Sequence, residues 1–136
     1  MRRFGLRNTI VIPATALLAA AGFSSDNSGP VPFARSLDCP SGDCSLLRGA
    51  PQTTGMRSGF VRLKPSAAVG RHSTGSHEEA LVILRGHGEA LIEGKPRQPF
   101  TAPAFVYIPP DTFHNVTNTG PELLEYVYVV SPAKLP

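Results

Sequence analysis

The chain has 136 residues, the size of one domain, and 41% of them are apolar, which is enough for one core but not for two. It lacks Trp, and its 13 Gly and 14 Pro favour turns and strands over long helices. The formal net charge of +3 equals the charge of Arg2, Arg3 and Arg7, so the rest of the chain is balanced and lacks the basic excess that binding to nucleic acid or anionic lipid requires.

The first predicted element is an export signal. MRRFGLR is a short cationic segment, an apolar run follows from Ile10, and Ala19-Ala20-Ala21 supplies the small residues that a signal peptidase needs. The run is shorter than the roughly 20 residues of a stable membrane span. We therefore predict that residues 1–21 are a signal peptide and that the protein is exported, to a periplasm or by secretion. The alternatives are a short uncleaved anchor or a flexible tail.

Residues 22–56 are predicted to form an irregular N-terminal arm, because they are rich in Ser, Gly, Pro and Asn and show little periodicity. Cys39 and Cys44 enclose the sequence Pro-Ser-Gly-Asp, which favours a tight turn. An exported protein meets an oxidising environment, so we expect a small disulfide loop rather than two buried thiols or a metal site. A short strand around Val31 to Leu37 is a further alternative for the arm.

A barrel-like domain is predicted over residues 57–136. Seven or eight short strands are expected, among them Gly59–Lys64, Ala67–His72, Ala80–Arg85, Glu89–Ile92, Ala104–Ile108, Phe113–Thr117 and Leu123–Val130. The third and fourth of these are expected to form a hairpin around Gly86 to Gly88. Strands repeating every eight to twelve residues or so, with no amphipathic helix pattern, are typical of an all-β sandwich or barrel.

Two segments carry candidate metal ligands. The segment GRHSTGSHEEALVILRG contains His72, His77 and Glu79 just ahead of an apolar run, and PAFVYIPPDTFHNVTN contains His114 after a proline turn. Neutral imidazole nitrogens and carboxylate oxygens are the usual ligands of divalent transition metals. A β-barrel would bring the two segments to one mouth, so the pattern predicts one shared metal site.

The two segments resemble the paired motifs of the cupin family. The first motif has a Gly, a His-x-His pair, a Glu and a later Gly, and this chain matches it at His72, Glu79 and Gly86. The second motif has a Pro, a Gly, a His and an Asn, and the matches are Pro109, His114 and Asn118. The resemblance implies an all-β fold with a single double-stranded β-helix, or jelly-roll, barrel. It also implies a metal held by His and Glu near the centre, and often a dimer.

Three residues depart from the family motifs. Thr74 stands where the second His of the pair belongs, Asp111 replaces a glycine, and Pro103 stands where the second motif begins with glycine. His77 is a candidate replacement for the missing ligand, because it lies two residues before Glu79 and shares its face if the strand extends that far. The predicted metal ligands are therefore His72, His77, Glu79 and His114.

The identity of the metal is left open, because ligand type alone does not choose among Fe, Mn, Ni, Zn and Cu. Glu78 alternates away from its neighbour and is expected outside the barrel. His87 is expected on the surface, in the turn between two glycines. Tyr107, Tyr126 and Tyr128 are interpreted as packing residues, of which one could line the cavity because a buried hydroxyl needs a partner.

The sequence identifies no catalytic residue and leaves three functions open. The first is an exported metalloprotein acting on a small polar substrate, a carboxylate or a sugar-like molecule. The second is a non-catalytic module that holds a metal or a small ligand, and the third is a structural barrel without metal. Open coordination positions permit Lewis-acid chemistry, but fold alone does not settle function. A small-molecule ligand is the expected partner, and a homodimer is a further expectation.

Overall fold

The computed structural model describes residues 29–133, which form eight β-strands and no helix. The strands are β1 (Cys44–Arg48), β2 (Arg57–Leu63), β3 (His77–Arg85), β4 (His87–Ile92), β5 (Gln98–Thr101), β6 (Ala104–Ile108), β7 (His114–Asn118) and β8 (Leu124–Pro132). The predicted all-β class is confirmed. The predicted signal peptide, residues 1–21, lies outside the described residues. Within residues 29–133 there is no helix of the length and apolarity needed to cross a membrane.

The strands form two antiparallel sheets around one core. The larger sheet has the order β1-β2-β8-β3-β6, and the smaller has the order β5-β4-β7. Side chains from both sheets make up the buried apolar cluster, which consists of Leu63, Leu81, Ile83, Ala90, Ile92, Val106, Ile108, Val116, Leu124 and Tyr126. This arrangement is the predicted double-stranded β-helix barrel.

Strict alternation of burial explains which side chains face the inside. In β7 the residues His114, Val116 and Asn118 are buried, and the two residues between them are only partly so. Successive side chains of a strand point to opposite faces, so the contacts that bury Val116 also direct the imidazole of His114 inward. In β3 the same alternation buries Glu79 together with Leu81.

The predicted hairpin between β3 and β4 is wrong. β3 pairs with β6 and β8, whereas β4 pairs with β5 and β7. Only Gly86 separates the two strands, and it carries the chain from one sheet to the other with a φ of 80°. A Cβ at this position would lie 2.5 Å from the carbonyl oxygen of Leu123, so the corner requires glycine.

Other differences from the predicted elements lie at the sheet edges. The segment Ala67–His72 makes only isolated bridges, to Thr117 and His114, instead of a strand. Val31 to Leu37 is irregular, whereas the unpredicted strands β1 and β5 each pair with a single neighbour. Both are short edge strands, and β5 contains Pro99, which weakens its strand signal.

The described part of the arm is fastened to β2. Cys39 and Cys44 are joined by a disulfide, as predicted, and Cys39 is buried. The Asp43 carboxylate accepts a hydrogen bond of 2.7 Å from the backbone N–H of Arg62, and the Arg62 guanidinium donates to the Cys39 carbonyl at 3.3 Å. The loop therefore covers the outer face of β2 and leaves the barrel interior free.

Candidate metal centre

Three of the predicted ligands meet inside the barrel. His72, Glu79 and His114 offer nitrogen and oxygen atoms that all lie within 4.8 Å of one another. Glu79 comes from β3, His114 from the first position of β7, and His72 from the segment that bridges to β7. Glu79 is 6% exposed and His114 2%, while His72 is half-buried. Ionisable groups this deeply buried need a partner that offsets their lost hydration.

A pair of backbone hydrogen bonds sets the relative position of the two histidines. The His72 N–H donates to the His114 carbonyl at 3.0 Å, and the His114 N–H donates to the His72 carbonyl at 2.8 Å. Residues directly opposed in an antiparallel bridge send their side chains to the same face. The two imidazole rings accordingly contact each other edge to face, with centroids 4.3 Å apart.

Main-chain carbonyls orient both imidazole rings. Nδ1 of His72 lies 2.9 Å from the carbonyl oxygen of Gly70, and Nδ1 of His114 lies 3.0 Å from that of Thr112. A carbonyl can only accept, so in each neutral ring the hydrogen is assigned to Nδ1 and Nε2 keeps its lone pair. A backbone partner that fixes the ring in this way is typical of metal-binding histidines.

Glu79 and His114 form a buried pair that their surroundings do not satisfy. Nε2 of His114 lies 3.1 Å from Oε2 of Glu79, yet neither atom has a well-aligned hydrogen-bond partner in the described part of the chain. Burial lowers the pKa of His114, but the contact with Glu79 and the carbonyl of Thr112 outweigh it and raise the pKa above its ordinary value. Nε2 of His114 and Oε2 of Glu79 are thus positioned to bind a cation.

The donor set fits a divalent transition metal. Metal–ligand bonds of about 2.0–2.2 Å place any two ligand atoms at most about 4.4 Å apart. The observed group, within 4.8 Å, needs to close only slightly around an ion. Two imidazoles and one carboxylate are a donor set of transition-metal sites, and three protein ligands leave further positions open to water or another small molecule.

The structure does not bring His77 into this group. His77 lies on the same face of β3 as Glu79, but residues two positions apart in a strand are separated by about 6.6 Å. Thr74, at the family's second His position, donates its hydroxyl to the carbonyl of His77 at 2.8 Å. Thr74 therefore holds the turn before β3, and a fourth ligand at His77 stays a prediction.

The three candidate ligands line a cavity of about 420 Å³, a size in the usual range for small-molecule sites. The other residues that line it are Arg57, Val61, Val69, Ser73, Thr74, Val116, Tyr126, Tyr128 and Val130. Burial, together with the negative charge of Glu79, raises the pKa of Tyr126, so its hydroxyl stays protonated and can donate. Two of the three tyrosines thus line the cavity, where one was expected.

Two other sequence interpretations have definite outcomes. Tyr107 is exposed and donates to the Glu78 carboxylate at 3.1 Å, so it is not a packing residue. His87 does not lie in a surface turn, because it begins β4 and is half-buried. Its ring packs so closely on Gly120 that a Cβ there would lie 2.7 Å from it.

Two family-motif positions have structural roles. Asp111 stands at the family's glycine position and adopts a positive φ of 54°, which Asp tolerates. The Asn118 amide donates to the carbonyls of Leu63 and Glu122 at 2.9 and 2.7 Å, so it fastens the turn between β7 and β8.

Sequence reasoning did not single out Arg57, although it lines the cavity. The available signal was the alternation of β2, which gives Arg57 the same face as Val61 and Leu63.

The sequence model of the cupin domain matches residues 59–130. No curated protein sequence shows a significant match. Among solved structures, a predicted oxalate decarboxylase from Thermotoga maritima is 28% identical with a TM-score of 0.51, over 54% of this chain and 64% of its own. A cupin protein from Bacteroides fragilis is 19% identical with a TM-score of 0.62, over 80% of this chain and 89% of its own.

The cupin domain of Cnp3 from Schizosaccharomyces pombe is 17% identical with a TM-score of 0.60, over 66% of this chain and 63% of its own. This chain therefore spans less than two thirds of the Thermotoga and Schizosaccharomyces chains. The likenesses below 25% identity show a shared fold.

Proposed function

Because the chain belongs to the cupin family, we propose that it binds one divalent transition metal through His72, Glu79 and His114 and holds a small polar ligand beside that metal. The observation that carries the proposal is the buried contact between Glu79 and His114, whose facing atoms have no other partner among residues 29–133. An ion coordinated by both atoms offsets the cost of burying them.

The chain's own residues supply the surroundings of the bound ligand. When bound, the metal acts as a Lewis acid toward an oxygen of that ligand. The protonated hydroxyl of Tyr126 is available as a hydrogen-bond donor, and the valines give the cavity apolar walls. The ligand classes that fit are a carboxylate or a sugar-like molecule, as a substrate or as a simple cargo.

We further propose that the protein works outside the cytoplasm. The disulfide between Cys39 and Cys44 is compatible with an oxidising compartment. The composition of residues 1–21 supports export, because a cationic segment and a short apolar run precede small residues.

Metal content of the purified mature protein tests the proposal. The protein is incubated with each of Fe, Mn, Ni, Zn and Cu, freed of loose ions by gel filtration, and analysed by elemental mass spectrometry. We expect about one equivalent of the preferred metal, and its loss in Glu79→Gln. His87→Ala, which removes an imidazole outside the site, should keep it. If the wild type retains none of the five metals, the barrel is a metal-free scaffold and the proposal is wrong.

His77→Ala separates a three-ligand from a four-ligand site. Unchanged affinity means that His72, Glu79 and His114 suffice, which leaves more coordination positions for a ligand. A fall of more than about 100-fold, beyond the 10- to 100-fold that loss of a supporting contact causes, would make His77 the fourth ligand.

A further inference from the structure

Arg57 lies on the same row of the barrel wall as Glu79. Arg57 of β2 is paired with Val130 of β8, and Val130 is in turn paired with Glu79 of β3. Directly paired residues share a face, and neighbouring strands are about 4.8 Å apart, so the backbones of Arg57 and Glu79 lie roughly 10 Å apart. All three residues line the cavity, and Arg57 is exposed at its opening.

The guanidinium of Arg57 is available to an incoming ligand. The four arginines that follow it each form a salt bridge, in the pairs Arg62–Glu125, Arg71–Glu93, Arg85–Glu122 and Arg97–Glu89. Arg57 forms neither a salt bridge nor a side-chain hydrogen bond with any residue between 29 and 133. A guanidinium presents a planar set of N–H donors whose spacing matches the two oxygens of a carboxylate.

The charge of the cavity favours an anion. Glu79 is the one acidic side chain among the described residues that line it, and it is committed to the metal under the proposed function. A divalent ion beside a single carboxylate leaves a net positive charge, and Arg57 adds another. A neutral ligand such as a sugar would leave this charge unmatched.

The remaining lining is suited to an apolar body. It consists of Val61, Val69, Val116 and Val130 and the rings of Tyr126 and Tyr128. Gly59 makes room on β2 for one of these rings, because a Cβ there would lie 2.5 Å from the ring of Tyr128. The cavity therefore has a cationic opening, apolar walls and the candidate metal site on one surface.

We propose that Arg57 binds both carboxylate oxygens of a small, partly apolar carboxylic acid whose body packs on the valines and tyrosines. In an acid that carries a further oxygen, as 2-oxobutanoate does, that oxygen reaches the metal. The contact with the metal rests on the proposed function. The contact with Arg57 does not, since it needs only the cavity and the unpaired guanidinium.

Calorimetric titration with matched acids and amides tests this assignment. The probes are benzoate against benzamide and 2-oxobutanoate against 2-oxobutanamide, with metal-loaded and with metal-free protein. We expect the wild type to bind each acid at least ten-fold more tightly than its amide, about the effect of one charge-assisted hydrogen bond. Arg57→Gln should abolish this preference and Arg57→Lys should keep part of it. Arg85→Gln, the same change at an exposed salt bridge, should leave it intact.

The outcomes separate this inference from the proposed function. Arg57→Gln should keep the metal content and melting temperature of the wild type, because Arg57 is neither a ligand nor buried. If the wild type takes up none of the five metals yet shows an Arg57-dependent preference for acids, the metal proposal is wrong and the carboxylate site is supported. Bound metal with equal affinity for acid and amide, or with a preference that survives Arg57→Gln, would overturn the inference. So would a wild type that binds neither acid.

Discussion

Replacing His114 with Ala removes a proposed metal ligand from the most buried part of the candidate site. The side chain is 1% exposed, and its Nε2 lies 3.1 Å from the Glu79 carboxylate. The variant loses one of three ligands and admits water to the space that the imidazole filled. We expect metal-dependent stabilisation to disappear while the barrel still folds.

The size of the effect follows from binding linkage. Free metal at 100 times its Kd stabilises the wild type by about 2.7 kcal/mol, which raises the melting temperature of a domain of this size by roughly 10 °C. Loss of a supporting contact weakens metal sites by about 10- to 100-fold, so loss of a ligand should cost at least the upper figure. At the same metal concentration the variant then gains about 0.4 kcal/mol or less, a shift of under about 2 °C.

Thermal melts with metal and with a chelator measure this shift within each variant, so any change in the stability of the metal-free protein cancels. His87→Ala is the matched control and should show the wild-type shift, because its imidazole lies outside the site. Should His114→Ala fail to fold, His72→Ala tests the same point at a half-buried ligand. A shift in either ligand variant that equals the wild-type value would refute the ligand assignment.

Three further outcomes are expected. Metal binding requires neutral His114, whose pKa is raised. The affinity for metal should therefore fall on acidification at a higher pH than it would for an ordinary histidine. Metal titrations across pH measure this, and a fall in affinity that begins only below about pH 6 would contradict it. In the metal-free protein acidification has the opposite effect, because it stabilises the fold. The raised pKa of His114 adds to the free energy of unfolding fully below the unfolded-state pKa, and this contribution is lost as pH rises through the folded-state pKa. Gly59→Ala should lower the free energy of unfolding by about 1–3 kcal/mol, because its Cβ meets the Tyr128 ring. Denaturant titration measures this, and a smaller loss in a Tyr128→Ala background would identify the clash as the cause. Intact-mass analysis of exported protein should show residues 1–21 removed, and a full-length mass would disprove the signal peptide.

Alternation in the sequence predicted where strands lie, but not how they pair. It located β2, β3, β4, β6, β7 and β8 to within a few residues, because a period of two marks a strand with one buried face. The two sides of Gly86 looked like a hairpin, yet they belong to different sheets. Whether the chain turns back at Gly86 or crosses to the other sheet depends on its close approach to Leu123, which is far along the chain. The local sequence pattern does not encode such a contact.

The sequence likewise predicted some residues of the candidate site and missed others. The joint spacing of His72, Glu79 and His114 was readable, and the structure places the three together. The signal for Arg57 was weak, because alternation along β2 gives it an inner face, but a single arginine at the start of a strand is ordinarily a solvated surface residue. Its position becomes informative only through Val130, which aligns Arg57 with Glu79 across three strands.

The barrel wall also determines from which end the proposed ligand can reach the candidate site. Along β3, Glu79 faces the cavity, whereas Leu81 and Ile83 further along are almost fully buried in the core. Along β7 the order is the same, since His114 reaches the candidate metal site and Asn118 at the far end is fastened to backbone carbonyls. Packing therefore closes the end that holds Ile83 and Asn118, and a ligand has to enter at the end where Arg57 is exposed. An anion entering there meets the guanidinium before it meets the metal ligands, so Arg57 should affect the rate of association as well as the affinity.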